Sequence, residues 1–457
     1  MKSSISKIFI FFLTLFSPIH ILTSTQDKNK TNAEFFFQKP IAMENMVVVS
    51  YNNRQDLEAF NYAISANKYT EKAAIGGYLP QLSLSGKALS SYDYEIIPWR
   101  NFTVELSQLI LSFDGPIDQF KIAQQGTYIL KTQKQELKNN IRFRTEQTFL
   151  DLKKSLLKTQ LIKALEKSSG QTYDLRASQF GVGLISKPDW EKVRSAYTTQ
   201  QASIENYPND VLIARTNLER QTNEPIPVDT VSLQVKKVDT IKFKPVNYYL
   251  TKALVSRPEL KGKDHMIRQA EYSEMYYKKQ YLPQVSVFAS VSKNKMPCQP
   301  NLLTLLDDDI QKHPTIISEW AKAIRSLRWS AGVSVDWSFD GLTNAHTGAS
   351  YEEKATEFLL QKRDLELQII ENIKEIYLNV KNLLIKLKPT ETKYLQTQKE
   401  LEKQSKAYEV GLIKKADYSQ AILDNEQAKY NLTTLKIDIR KGYQQLLFQS
   451  GYPEKFE

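Results

Sequence analysis

Apolar and polar residues alternate every second position in four short stretches of the chain. Ala331, Val333, Val335, Trp337 and Phe339 interleave with Gly332, Ser334, Asp336 and Ser338, which predicts a strand with one apolar and one wet face. Val285, Val287, Ala289 and Val291 alternate with Ser286, Ser290 and Ser292 in the same way, with Phe288 the exception on the polar side. Leu82 and Leu84 against Ser83, Ser85 and Lys87, then Phe102, Val104, Leu106 and Ile110 against Glu105 and Ser107, predict two more strands. The four strands form two hairpins.

Elsewhere the period lengthens. Ile369, Ile373, Ile376, Val380, Leu383 and Leu387 are spaced alternately by four and three, and Tyr394, Leu401 and Tyr408 continue at sevens, a coiled-coil seam. Ala421, Ala428, Leu432, Leu435, Ile439 and Leu446 form a returning seam, and Leu137, Ile141, Phe149, Leu152 and Leu156 a noisier one. At ~1.5 Å per residue, a helix over 341–410 would extend about 100 Å. Pro389 predicts a kink or break in it, because proline removes one ladder hydrogen bond. Pro80 and Pro283 stand where a helix should give way to a strand, and Asp114-Gly115-Pro116 where a strand should give way to a helix.

Motifs recur at fixed spacing. Arg54, Asp56 and Leu57 precede Tyr78-Leu79-Pro80-Gln81, and Arg257, Glu259 and Leu260 precede Tyr281-Leu282-Pro283-Gln284, each 203 positions later. Ser112-Phe113-Asp114-Gly115 returns as Ser338-Phe339-Asp340-Gly341 at an offset of 226, and Val182-Gly183-Leu184-Ile185 with Asp189 as Val410-Gly411-Leu412-Ile413 with Asp417 at 228. The chain therefore reads as two homologous repeats. The first covers 26–221, with a helix, a β-hairpin at 78–115 and a long helical hairpin at 116–221. A connector at 222–245 leads to the second repeat at 246–451, with its β-hairpin at 281–341 and helical hairpin at 342–450. Residues 452–457 form a tail. The second β-hairpin carries the longer loop, from Lys293 to Arg328.

Composition narrows the class. Of 457 residues, 41% are hydrophobic and 25% charged, which is globular. A mean hydropathy of -0.45 excludes a polytopic helical membrane protein but not a membrane β-barrel, whose strands are half apolar. The net charge of +11 is spread among interleaved acids and bases, so nucleic-acid binding is not expected. Cys298 is the single cysteine, so there is no internal disulfide and no cysteine zinc cluster. Lys2 and Lys7, then the apolar Ile8–Phe16, then Thr23-Ser24-Thr25 read as an export signal over 1–25, with a buried N-terminal segment as the alternative. His20, His265, His313 and His346 lack metal-ligand spacing and no phosphate-cradling glycine loop occurs, so no enzyme activity, metal or cofactor is expected. The Asp307-Asp308-Asp309 run lacks EF-hand spacing and reads as a solvated loop.

Two hairpins, each with one apolar face, cannot build a core alone. In a membrane their unpaired edge groups would cost several kcal/mol each, so the sheet must close with strands of other subunits. Closure puts the wet faces inside, which makes a channel. The competing arrangement is a soluble sandwich with the apolar faces together.

The duplicated series Arg-x-[Asp/Glu]-Leu, Tyr-Leu-Pro-Gln, Phe-Asp-Gly and Val-Gly-Leu-Ile with a following Asp resembles the outer membrane efflux protein (TolC-like) family over nearly the whole mature chain. The resemblance implies a mainly α homotrimer, whose protomers each give four strands to one twelve-stranded membrane β-barrel and long coiled-coil hairpins to a periplasmic α-barrel tunnel. It implies an exit duct in the outer-membrane lipid, working with a periplasmic adaptor and an inner-membrane pump or ABC transporter. Val182, Gly183, Leu184, Val410, Gly411 and Leu412 match the hairpin tips that the adaptor contacts, or are plain turns. Asp189 and Asp417 match the periplasmic entrance gate, or are ordinary carboxylates in the first turn of a helix. The chain departs from the family at Gln420, where some members carry a second aspartate, and in Trp337-Ser338-Phe339, which lacks a proline. Trp99, Trp329, Trp337, Tyr78 and Tyr281 are candidates for aromatic girdles. The reading from a different class is a periplasmic or surface coiled-coil scaffold without a pore.

Overall fold

The computed structural model describes residues 42–90, 96–112, 115–226, 243–280, 282–294 and 327–452. The export signal at 1–25, Cys298, the aspartate run at 307–309 and most of the connector lie outside the described residues. In chain order the elements are helices α1 (Met43–Asn53) and α2 (Gln55–Gly76), strands β1 (Gln81–Ser90) and β2 (Ile96–Leu111), and helices α3 (Pro116–Gly181) and α4 (Lys187–Thr222). Then follow α5 (Val246–Ser256), α6 (Pro258–Lys279), β3 (Gln284–Asn294), β4 (Leu327–Asp336), α7 (Thr343–Glu409) and α8 (Lys415–Gln449).

Helices α3 and α7 run for 66 and 67 residues without interruption, each about 100 Å long. The upper half of α3 packs between α2 and α6, and its lower half between α4 and α8. In the upper half Asn67 Nδ2 donates to the Ala123 carbonyl at 2.7 Å and Lys279 Nζ to Asp118 Oδ2 at 2.6 Å. In the lower half Lys154 and Lys441 pair with Asp438 and Asp151 at 3.1 and 2.7 Å across the α3–α8 contact. Helix α7 divides likewise, with Lys362–Asp264 joining it to α6 at 2.7 Å and Lys436–Glu391 joining it to α8 at 3.0 Å.

The predicted break at Pro389 does not occur: α7 runs through it, as α4 runs through Pro208. Pro389 and Ile385 are both exposed, so water can serve the carbonyl that the proline leaves without a donor, and packing on both sides carries the helix.

Two apolar clusters occupy mid-height. Met46, Phe149, Leu150 and Leu218 centre one, where α1 meets α3 and α4. Tyr249, Ile369, Ile373 and Leu446 centre the other, where α5 meets α7 and α8. The recurring arginine motif sits beside each. Arg54 and Arg257 are extended residues at the N-caps of α2 and α6, and their guanidiniums hold Asp56 and Glu259 on the first turn. Leu57 and Leu260 are buried behind them. The carboxylates lie where the helix dipole favours negative charge, and the Arg54 guanidinium holds Asp56 below the usual carboxylate range.

The strands form one antiparallel sheet of order β1-β2-β3-β4. Strand β2 pairs with β3 through Val104–Val291 and Leu106–Ala289, which joins the two hairpins edge to edge. Strand β4 stops at Asp336, earlier than the alternation predicts, and Trp337 and Phe339 lie beyond it, both exposed. Its partner sets the limit: Asp336 pairs with Gln284, and the next position on that side is Pro283, which has no N–H to donate.

Candidate functional site: the open sheet and the hairpin tips

The register lines up side chains by type across all four strands. One face carries the rows Leu84–Val104–Val291–Trp329 and Leu82–Leu106–Ala289–Ala331. The other carries Ser83–Glu105–Ser290–Ser330 and Ser85–Thr103–Ser292–Arg328. Ser286 and Ser334 are hydrogen-bonded across the wet face at 2.6 Å, and Ser290 and Ser330 at 2.8 Å. Among the described residues no layer covers the apolar face, where Leu84, Val333 and Trp329 are 69%, 65% and 80% exposed. Among the described residues no second sheet meets the apolar face, as a sandwich would require. Among the described residues β1 and β4 each have a strand on one side only.

Of the aromatic residues proposed for girdles, Trp329 stands on the apolar face, Trp337 just past the strand, and Tyr78 half-buried at its entrance. The side chain of Trp99 and the whole of Tyr281 lie outside the described residues.

The far ends of the helical hairpins are two nearly identical turns. Gly183 and Gly411 both take φ of 77°, and each begins the link to the next helix. The Leu184 N–H donates to the Gln179 carbonyl at 2.8 Å and the Gly183 N–H to that of Phe180 at 2.9 Å. The Leu412 N–H donates to Ala407 at 2.8 Å and the Gly411 N–H to Tyr408 at 3.0 Å. This is the Schellman arrangement, which satisfies the last carbonyls of the helix and needs glycine where φ is positive. Such a motif commonly tucks its following apolar residue back onto the helix. Here that residue faces water: Val182, Leu184, Val410 and Leu412 are all at least 70% exposed.

Asp189 and Asp417 occupy the third position of α4 and α8, both exposed, but in different settings. Ser186 caps α4, accepting from the Asp189 N–H at 3.3 Å, and its hydroxyl donates to Asp189 Oδ2 at 2.6 Å, so the aspartate is held by the capping serine. Helix α8 begins after Lys414 with no side-chain cap, and Asp417 instead faces a groove of about 280 Å³ between α7 and α8. Glu400 and Asp424 line the same groove, and Gln420 donates to Asp424 at 2.9 Å. Ser168 on α3 donates to Gln420 Oε1 at 3.2 Å, tying this end of α8 to the neighbouring hairpin.

Sequence reasoning passed over the rings beside the first tip. Trp190 stacks on Phe180 with centroids 5.6 Å apart and lies 5.1 Å from Tyr173, which stacks on Tyr197. The second tip has a single stack, Tyr408 on Tyr418 at 4.9 Å. The spacing of Phe180, Trp190 and Tyr197 across a turn was the available signal.

No family model matches the chain, and no curated protein matches it. Solved structures do. CusC aligns with a TM-score of 0.68 at 12% identity, over 92% of this chain and 94% of that one. The CmeC outer membrane channel of Campylobacter jejuni aligns at 0.66 and 14% identity, over 91% and 87%. The MtrE outer membrane channel of Neisseria gonorrhoeae, in its open state, aligns at 0.66 and 12% identity, over 90% and 89%. The fold of this chain is that of outer membrane channels, and the TolC-like resemblance carried by the duplicated motifs holds at the level of the fold.

Proposed function

We propose that the chain is the protomer of a homotrimeric exit channel in the outer membrane, part of a tripartite efflux or type I secretion system. The observation that carries this reading is the sheet: apolar on one face and serine-rich on the other, with nothing among the described residues covering the apolar face or pairing the outer edges of β1 and β4. Three copies pairing β4 to β1 close twelve strands, satisfy both edges, turn the apolar face to lipid and leave a hydrated bore. Substrates pass down it without catalysis.

Helix α7 supports the trimer independently. Its buried seam faces α6 and α8, yet Leu360, Leu367, Leu378 and Ile385 form a second apolar stripe, each more than half exposed in the single chain. Such a stripe suits a neighbouring protomer in a closed tunnel of helices. Val182, Leu184, Val410 and Leu412, held out by rigid turns, are the surface for a periplasmic adaptor, behind which stands an inner-membrane pump or ABC transporter that supplies the energy. Asp417, with Glu400 and Asp424 in its groove, is the better placed carboxylate for the entrance gate; Asp189, engaged with Ser186, contributes mainly to the helix start. The two repeats share this layout, each supplying one strand pair and one helical hairpin.

Membrane fractionation and conductance test the reading together. The mature chain should be extracted from the outer membrane in detergent as a heat-modifiable trimer and form pores in planar bilayers. A freely soluble periplasmic monomer would end it and favour the scaffold.

A further inference from the structure

A concave site away from the sheet and the tips is a cleft of about 540 Å³ at mid-height, between α3 and α6 and floored by the chain just past α8. Lys131, Lys138, Arg142 and Lys261 line it together with His265, and among the described residues no carboxylate does. Arg142 is already neutralised: its Nε donates to Glu146 Oε1 at 3.0 Å, and that buried carboxylate also accepts from the Tyr452 hydroxyl at 2.9 Å. The three lysines make no ion pair with a described residue. Lys131 Nζ lies 5.0 Å from the centroid of the Tyr128 ring, and Tyr128 stacks on His265 at 4.9 Å, so one wall is aromatic and held in place. Gln125 Oε1, 2.8 Å from His265 Nδ1, fixes the imidazole in turn.

We propose that this cleft binds a small molecule carrying a multiply charged phosphate or diphosphate group. Three lysines lining one concavity with no paired acid among the described residues favour an anionic occupant, and ammonium point charges suit phosphate oxygens. The volume exceeds what a lone inorganic ion fills and falls in the range of small-molecule sites, with the Tyr128–His265 wall left for an organic portion. The cleft is made by α3 from one half of the chain and by α6 and the Gly451–Tyr452 segment from the other, so an occupant ties the halves together. The inference does not depend on the channel reading, since every contact lies within one chain.

Calorimetric titration of inorganic pyrophosphate into the detergent-purified full chain, at fixed ionic strength, tests it. Saturable binding of one pyrophosphate per chain is expected. The triple variant Lys131→Gln, Lys138→Gln, Lys261→Gln should bind at least tenfold more weakly, and the corresponding triple Lys→Arg variant should retain binding. Circular dichroism checks that both remain folded, and the single exposed change Lys261→Gln, expected to weaken binding severalfold, serves if the triple does not. The proposal is overturned by no saturable heat, or by equal binding in the glutamine variants. It is overturned too if binding appears only after removal of residues 453–457, which would give the cleft to the chain's own acidic tail.

Discussion

The Phe288 ring lies across Gly332. The two residues are paired in the β3–β4 register on the wet face, and a methyl group placed on Gly332 would stand 3.3 Å from the edge of the ring. This apolar residue on the serine side is thereby laid flat along the sheet, where a glycine makes room for it.

Replacing Gly332 by valine should therefore lift the ring off the sheet. In the proposed barrel this places three phenylalanines in the bore, and single-channel conductance should fall. The double variant Gly332→Val, Phe288→Ala should recover it. Unchanged conductance in Gly332→Val would show that the ring finds room elsewhere.

The tip glycines have nothing within 4 Å of an added methyl, so substitution there costs only backbone strain. Gly183→Ala and Gly411→Ala should each destabilise their turn by about 1–2 kcal/mol, the cost of a left-handed L-residue. Gly181→Ala, equally uncrowded but helical, should be neutral or stabilising by up to about 1 kcal/mol. Hydrogen exchange of the Leu184 and Leu412 amides separates the cases: faster in the first two, unchanged in the third.

Arg54 and Arg257 occupy matching places in the two halves but not equal surroundings. Arg257 is buried, holds Glu259 through two nitrogens and donates to Gln449 Oε1 at 2.8 Å, locking α6 to the end of α8. Arg54 has its side chain 28% exposed and holds Asp56 alone among the side chains it bonds. Arg257→Ala should cost about 3 kcal/mol, leaving Glu259 and Gln449 without their donor, and Arg54→Ala under about 1 kcal/mol. Urea unfolding midpoints of the two variants provide the comparison, and equal losses would contradict it.

Burial pushes the Tyr51 phenol up to about 12, and its hydroxyl donates to the Lys138 carbonyl at 3.2 Å. The unfolded chain ionises this tyrosine near pH 10 while the folded chain keeps it neutral, so the unfolded state binds fewer protons in that interval. Stability should accordingly decline as pH rises from about 10 to about 12, and decline less steeply in Tyr51→Phe. Denaturant midpoints across that range for both proteins measure the difference in slope.

Periodicity read along the chain was enough to find the strands and the long helices, because burial of one face imposes a period of two on a ribbon and of about three and a half on a packed rod. Ile369, Ile373, Ile376 and Val380 were legible as a seam for that reason, and all four are buried. The tip turns were legible because positive φ selects glycine. Phe288 was visible only as an exception, since its explanation sits on another strand. The cationic cleft was not legible at all: Lys131, Lys138 and Lys261 are ordinary lysines in the linear order, and their concentration exists only where α3 meets α6.

The amino-acid order by itself determined which segments are ribbon and which are rod, and which face of each seeks cover, since these depend on neighbours a few positions away. Tertiary structure alone decided that β2 joins β3, that α3 spends its length between two different pairs of helices, and that α7 passes Pro389 unbroken. A pattern of apolar positions states how much surface must be hidden and in which direction, but it carries no address for the surface that hides it. That address comes from long-range packing and from edge pairing, where contacts between residues hundreds of positions apart outweigh local preference.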